Sequence, residues 1–151
     1  QHHYSTMSLS DLKKMNVKKL SEKDCLLFMW ATGPLLNEAI ELMKSWGFQY
    51  KQVAFVWDKQ RTNPGYYTMT QCEFVLVGKR GKIPSPRGVR NAKQFLSQKL
   101  TTHSSKPEEV QDIIEKMFPT QKKLEMFARR ERTGWSVFGN QVNGSIEIEN
   151  A

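Results

Sequence analysis

The chain has 151 residues, enough for one domain with a sizeable core, and its 38% hydrophobic and 25% charged content fits a globular rather than a disordered chain. No apolar run approaches the length of a membrane span, and no secretory signal stands out. The formal charge of +8 is unevenly placed: from Lys59 to Lys99 stand nine bases and one acid, Glu73, while the rest carries fourteen of each sign. That concentration points to a polyanionic partner, nucleic acid first, over a merely solubilising lysine surface.

In chain order, Ser8-Leu-Ser-Asp11 is a capping-box-like start, and Leu9, Leu12 and Met15 give a short helix face. Cys25-Leu-Leu-Phe-Met-Trp30 is a continuous apolar run, as expected of a strand covered on both faces. Thr32-Gly-Pro34 ends it and opens a helix whose face is Leu35, Leu36, Ala39, Ile40, Leu42, Met43 and Trp46, with Gly47 as the stop. Gln52-Val-Ala-Phe-Val-Trp57 is a second strand, and strand, helix, strand argues for a right-handed βαβ unit. Residues 58–72 are polar and read as a loop with exposed aromatics, Tyr66 and Tyr67.

Glu73-Phe-Val-Leu-Val-Gly78 is a third buried strand, followed by the basic, Pro- and Gly-rich turn region 79–88. Residues 89–100 read as a further strand. Ser105-Lys-Pro-Glu108 matches a capping box, opening a helix with Val110, Ile113, Ile114, Met117 and Phe118 on one face and Pro119 at its end. The stretch from Lys123 to Gln141 reads strand, charged turn, strand. On spacing alone the favoured form is a β-hairpin with a basic loop. The element pattern implies a Rossmann-like α/β domain of five or six strands, occupying residues 1–151 without a linker or repeat.

Cys25 and Cys72 lie in strand-like runs and fit reduced thiols in a cytoplasmic protein. With no CxxC pair and no His cluster at ligand spacing, no metal site is expected. There is no GxGxxG and no Walker loop, so classical dinucleotide or nucleoside triphosphate binding has no support. Four groups carry chemistry. Lys106 stands beside a helix N-terminus, a setting that favours an anion. Arg129 follows an apolar strand. Asn140 and Gln141 end another, with amides that suit ribose hydroxyls. Trp57, Tyr66, Tyr67 and Tyr4 are aromatics beside loops, suited to stacking on a base. Each has a plainer alternative: solvated lysine, surface ion pair, turn former or core edge.

Taken together, His3-Tyr-Ser-Thr-Met7, Leu27-Phe-Met-Trp-Ala-Thr32, the Trp-Gly-Phe48 helix ending, Phe55-Val-Trp57 with Lys59, Gly65-Tyr-Tyr67, residues 73–78, His103-Ser-Ser-Lys-Pro-Glu108 and Leu124-Glu-Met-Phe-Ala-Arg129 through Gln141 carry a resemblance. The chain resembles the mRNA adenosine methyltransferase 70-kDa-subunit family of N6-adenine methyltransferases. These segments run in order along nearly the whole chain, closest in wording to the phage and bacterial branch. The resemblance implies a permuted class I methyltransferase fold, a mostly parallel sheet flanked by helices, using S-adenosylmethionine. It implies that Lys106 meets the methionine carboxylate and that Arg129, Arg132, Asn140 and Gln141 hold the ribose and neighbouring parts of the cofactor. Tyr4, Trp57 and Lys59 match acceptor-side positions around the target adenine, and Trp30 and Glu73 match active-site or supporting positions.

The family's Asp-Pro-Pro-Trp signature stands upstream of the His-Tyr-Ser-Thr-Met segment. The catalytic residue and its strand are therefore expected before Gln1, leaving this domain without its N-terminal segment. Lys79, Arg80, Lys82, Arg87 and Arg90 are the expected nucleic-acid contacts, with DNA favoured over RNA. In the resemblance set beside Lys106, the two strands of the 123–141 stretch become parallel neighbours joined by a short irregular crossover. The competing readings are a non-catalytic nucleic-acid-binding partner of the same fold, an RNA adenine methyltransferase, and a methyltransferase acting on a small molecule or protein. Homodimerisation is left open.

Overall fold

The computed structural model describes residues 7–101, 105–128 and 130–138. Helix α1 (Leu9–Lys13) is short, and Ser8 caps it: its Oγ accepts a hydrogen bond from the Asp11 amide at 3.0 Å. Strand β1 (Cys25–Ala31) leads through a turn of 3-10 helix at Gly33–Leu35 into α2 (Leu36–Ser45), with Pro34 in the first turn. Gly47, at φ +91°, closes α2 in the left-handed conformation that glycine adopts without strain. Strands β2 (Gln49–Pro64) and β3 (Met69–Arg80) follow, then β4 (Phe95–Ser97), α3 (Glu109–Met117), β5 (Lys123–Met126) and β6 (Trp135–Phe138).

The larger sheet has the order β1-β3-β2-β4. β3 pairs antiparallel with both β1 and β2, and β2 pairs parallel with β4. The expected mostly parallel sheet is therefore a mixed one. The cause is local: β2 and β3 are joined only by residues 65–68, and so short a link makes an antiparallel hairpin. β1 and β2 do run in the same direction on either side of β3, so the strand-helix-strand reading of direction holds while adjacency does not.

Alternation along the strands places the core on both faces. Leu76 joins Val17, Ala31, Leu42, Met43, Trp46 and Phe48 on the α2 side. Its neighbour Val75 joins Phe55, Trp57, Leu96, Val110 and Ile114 on the α3 side. This two-sided covering is why β1 and β3 read as unbroken apolar runs. Helix α2 lies so close to β3 that a Cβ on Gly78 would fall 2.4 Å from Met43 Sδ.

Three further expectations are corrected. Residues 58–72 are not a loop: both strands continue past the sheet, leaving only the tip irregular. The strand expected at 89–100 shrinks to Phe95–Ser97, because the Gly88 and Val89 amides donate to the Met117 and Lys116 carbonyls at the end of α3. The capping box at Ser105 does not form; α3 starts at Glu109 with no side-chain cap. Pro107 pushes the residue before it out of the helical region, so Lys106 precedes the helix rather than sitting in its first turn. β5 and β6 are parallel, not the hairpin favoured by spacing, which bears out the reading drawn from the resemblance. Phe127, just after β5, has φ 58°, and Gly134, just before β6, has φ +87°.

Candidate active site

Register sets the site. Trp30 pairs with Val75, Ala31 with Phe74 and Trp57 with Glu73, so the last residues of β1 lie level with the middle of β2. Here the Trp30 and Trp57 rings pack edge to face, with centroids 5.7 Å apart. Glu73 binds two lysines. Its Oε2 accepts from Lys59 Nζ at 3.3 Å, and its Oε1 accepts from Lys106 Nζ. The Lys106 ammonium also lies 5.2 Å from the centroid of Trp30 and 6.0 Å from that of Trp57. Glu73 and Lys59 are mostly buried, while the Lys106 side chain is 45% exposed. The cluster thus holds two ammonium groups against one carboxylate, and its accessible member is the cation. That arrangement suits a second anionic group arriving beside Lys106.

Trp57 stands where it was expected but in a different role. It is 1% exposed and its indole Nε1 donates to the Gln98 carbonyl at 2.8 Å. With both faces packed it is a core wall of the site rather than a free stacking surface. Tyr4, Arg129, Asn140 and Gln141 lie outside the described residues.

Arg132 is held in a clamp on α3. Its Nε donates to Glu115 Oε2 at 2.8 Å, its guanidinium also bonds Asp112, and Glu108 Oε1 lies 3.6 Å from its third nitrogen. Trp135 Nε1 donates to the same Glu115 oxygen at 2.7 Å. The Arg132 bond, then the Trp135 bond, hold the Glu115 carboxyl at about 2, well below the usual carboxylate range. Glu115, foremost, raises the pKa of Arg132 in turn. With three carboxylates around it, Arg132 ties the chain just before β6 to α3.

The five basic residues expected to grip nucleic acid are not gathered at this site. Lys79 and Arg80 pair with the opposite, amino end of β1. Six residues along β3 separate Lys79 from Glu73, about 20 Å at strand rise. Arg80 donates to the Ser21 and Glu22 carbonyls and lies 5.8 Å from the Phe48 ring centroid, which makes it a structural tie. The Lys82 amide donates to Asp24, and Arg87 packs over Phe118. Arg90 is exposed.

Two residues that sequence reasoning passed over organise the region. Glu115 shares one helix face with Glu108 and Asp112, a spacing that signals a receiving surface for bases. Asp58 shapes the start of the β2 extension: its Oδ1 accepts from the Gln60 amide at 2.9 Å and Gln71 Nε2 at 2.7 Å, and its Oδ2 accepts from Ser97 Oγ. These bonds, Gln71 foremost, lower its pKa. They also hold Gln60 at φ 58°, inside the register shift between Asp58 and Asn63. Among the described residues, no three His, Cys, Asp or Glu side chains converge as a metal site, and no helix is long and apolar enough to cross a membrane. Cys25 and Cys72 are free thiols at opposite ends of the sheet, and burial raises the pKa of Cys25.

Known proteins share this sequence to different extents. A family model described as MT-A70 matches residues 1–141. The Type II methyltransferase M.MunI of Mycoplasma sp is 51% identical over 146 residues, covering 96% of this chain and 63% of that protein. The N(6)-adenosine-methyltransferase MT-A70-like protein of Arabidopsis thaliana is 32% identical over 152 residues, covering 93% of this chain and 22% of its own length. The human N(6)-adenosine-methyltransferase catalytic subunit METTL3 is 27% identical over 153 residues, with 93% and 26% covered. The chain thus spans less than two thirds of each of these relatives. With the model matching all but its last ten residues, the chain belongs to the MT-A70 family.

Proposed function

We propose that this chain is the methyltransferase domain of an S-adenosylmethionine-dependent enzyme that methylates the N6 amine of adenine, in DNA rather than RNA, on a permuted class I fold. The observation that carries the reading is the Lys59–Glu73–Lys106 cluster against the Trp30–Trp57 wall, in a chain half identical to a Type II methyltransferase. That relative, rather than the adenosine methyltransferases at lower identity, is the reason for favouring DNA.

The residues present fit the cofactor on one specific ground. Glu73 neutralises one of two lysines, and the unbalanced positive charge lies at the exposed Lys106, where the methionine carboxylate would complete the pairing. Arg129, Asn140 and Gln141 are proposed to hold the ribose end. When bound, S-adenosylmethionine supplies an electrophilic methyl group on sulfur. This chain's part is placement. Glu73 fixes both lysine side chains, Trp30 packs between Trp57 and the Lys106 ammonium, and Lys59 stands at the proposed acceptor side of the same carboxylate. The contribution of these residues to rate would be positioning rather than proton transfer.

The test is incubation of the full-length protein with labelled S-adenosylmethionine and adenine-containing DNA or RNA. Methyl incorporation into DNA is expected. No incorporation into any substrate overturns the reading, and calorimetry with the cofactor then distinguishes a non-catalytic partner, which need not bind it.

A further inference from the structure

Among the described residues, β5 and β6 form a sheet of their own, and neither pairs with a strand of the larger one. The proposed cofactor residues belong to both parts. Lys106, at the amino-acid end, is bound to Glu73 of β3 and stands just before α3. Arg129, Asn140 and Gln141, at the ribose end, follow β5 and β6 in the sequence. The span from one end to the other is therefore set by how α3 docks on the β5–β6 pair.

Apolar contact brings these elements together: Trp135 packs against the cluster that holds Val110 and Ile114, and Val137 is buried. Such contact has no direction of its own. Direction comes from one polar face of α3, where Glu108, Gln111, Asp112 and Glu115 recur at helical spacing. Gln111 Nε2 donates to Glu125 Oε1 of β5 at 3.2 Å, and Arg130 pairs with Glu108 at 2.8 Å. Both side chains of that ion pair are more than half exposed, so it holds little. Arg132 and Glu115 are 19% and 36% exposed, the most enclosed ion pair on this face. Among the described residues, Glu115 is also the acid that holds β6 itself, through the Trp135 indole. Two bonds converge on its Oε2, from Arg132 Nε at 2.8 Å and Trp135 Nε1 at 2.7 Å. Charge-assisted bonds to one oxygen fix the start of β6 along α3, which apolar packing alone does not.

We infer that Glu115 is a positioning residue for the cofactor site. It acts through Arg132 and Trp135, setting the β5–β6 pair along α3 so that one S-adenosylmethionine reaches Lys106 with its carboxylate and the residues after β5 and β6 with its ribose. The inference rests on the cofactor reading above and adds to it the side chain that sets the distance between the two ends. A ligand that engages both ends gains from that spacing; a ligand that engages one end does not.

The test is calorimetry of the full-length protein with S-adenosylmethionine, beside ligand-observed NMR titration with methylthioadenosine, which keeps the ribose and lacks the amino-acid end. Glu115→Ala should bind S-adenosylmethionine about tenfold more weakly and methylthioadenosine within about twofold of wild type. Glu115→Gln, whose amide oxygen can still accept both bonds, should recover S-adenosylmethionine binding to within about threefold of wild type. A merely structural role would not separate the two ligands. Unchanged S-adenosylmethionine affinity in Glu115→Ala overturns the inference while the broader reading stands, and so does an equal loss for both ligands. If wild type binds no S-adenosylmethionine, both fall. If Glu115→Ala does not fold, Trp135→Phe, which keeps an aromatic ring and removes one donor, takes its place. A loss of about threefold confined to S-adenosylmethionine is then expected, and unchanged affinity overturns the inference.

Discussion

Glu73 is the one acid among nine bases in the middle of the sequence, and only the resemblance marked it as an active-site or supporting position. Enclosed by β-sheet and held by two lysines, it is the anchor of the cluster. Glu73→Gln leaves two ammonium groups facing each other without a counter-charge, and the expected loss of stability is about 1–3 kcal/mol in urea unfolding. Lys106→Met should behave oppositely: little loss of stability, because the side chain is half-exposed, but cofactor affinity weaker by about 1.5–3 kcal/mol in calorimetry. Equal cofactor affinity in that variant would reduce Lys106 to a surface partner of Glu73. Glu115 makes a pH prediction. Its carboxyl is depressed from an ordinary 4.5 to about 2, so it stabilises the fold above the ordinary value and loses that contribution as pH falls toward 2. The group is partly exposed, so solvent screening keeps the contribution near 1 kcal/mol. Glu115→Gln should therefore cost about 1 kcal/mol at pH 7 and clearly less at pH 3; an equal cost at both would mean that shape, not charge, holds Arg132.

At the scale of elements, the buried strands and α2 were legible because each has a strict pattern and clear ends: unbroken apolar runs for β1 and β3, helical spacing closed by Gly47 for α2. The extension of β2 and β3 past the sheet was not, because there nothing covers either face and the alternation that marks a strand has no cause. Its pairing is instead held by backbone bonds, threonine-rich strands and the Asp58 bridge, none of which leaves a hydrophobic signature. The start of α3 was misplaced for a different reason: Ser105 and Glu108 have capping-box spacing, but the intervening Pro107 disfavours a helical residue before it, and α3 starts only at Glu109. The parallel β5–β6 pair could not be read from spacing either, since a turn of polar residues with one glycine serves a hairpin and a crossover alike. Packing between elements is also testable. Gly78 lets α2 settle on β3, and Gly78→Ala would place a methyl group against Met43, itself fully buried. The expected cost is about 1–3 kcal/mol of unfolding free energy, with the secondary structure by circular dichroism unchanged. A neutral substitution would show that Met43 can move aside.

For the whole molecule, the fold redistributes a charge that looks continuous along the chain. Nine bases between Lys59 and Lys99 suggest one surface, yet the hairpin carries Lys79 and Arg80 back to the amino end of β1, about 20 Å from Glu73. At physiological salt the screening length is about 8 Å, so charges at that end act on a substrate at the site only by direct contact. At about 0.01 M salt the screening length is about 30 Å, and the same charges can steer an approaching polyanion. The variant Lys79→Gln/Lys82→Gln separates the two roles. The expectation is an unchanged DNA dissociation constant at 0.15 M salt, an unchanged slope of log Kd against log salt above about 0.1 M, and a slower association rate in stopped-flow at 0.01 M. Two direct phosphate contacts would instead lower the slope by nearly two across that range. That result would place the duplex along the full length of β3, with the two ends of the sheet acting as one binding face.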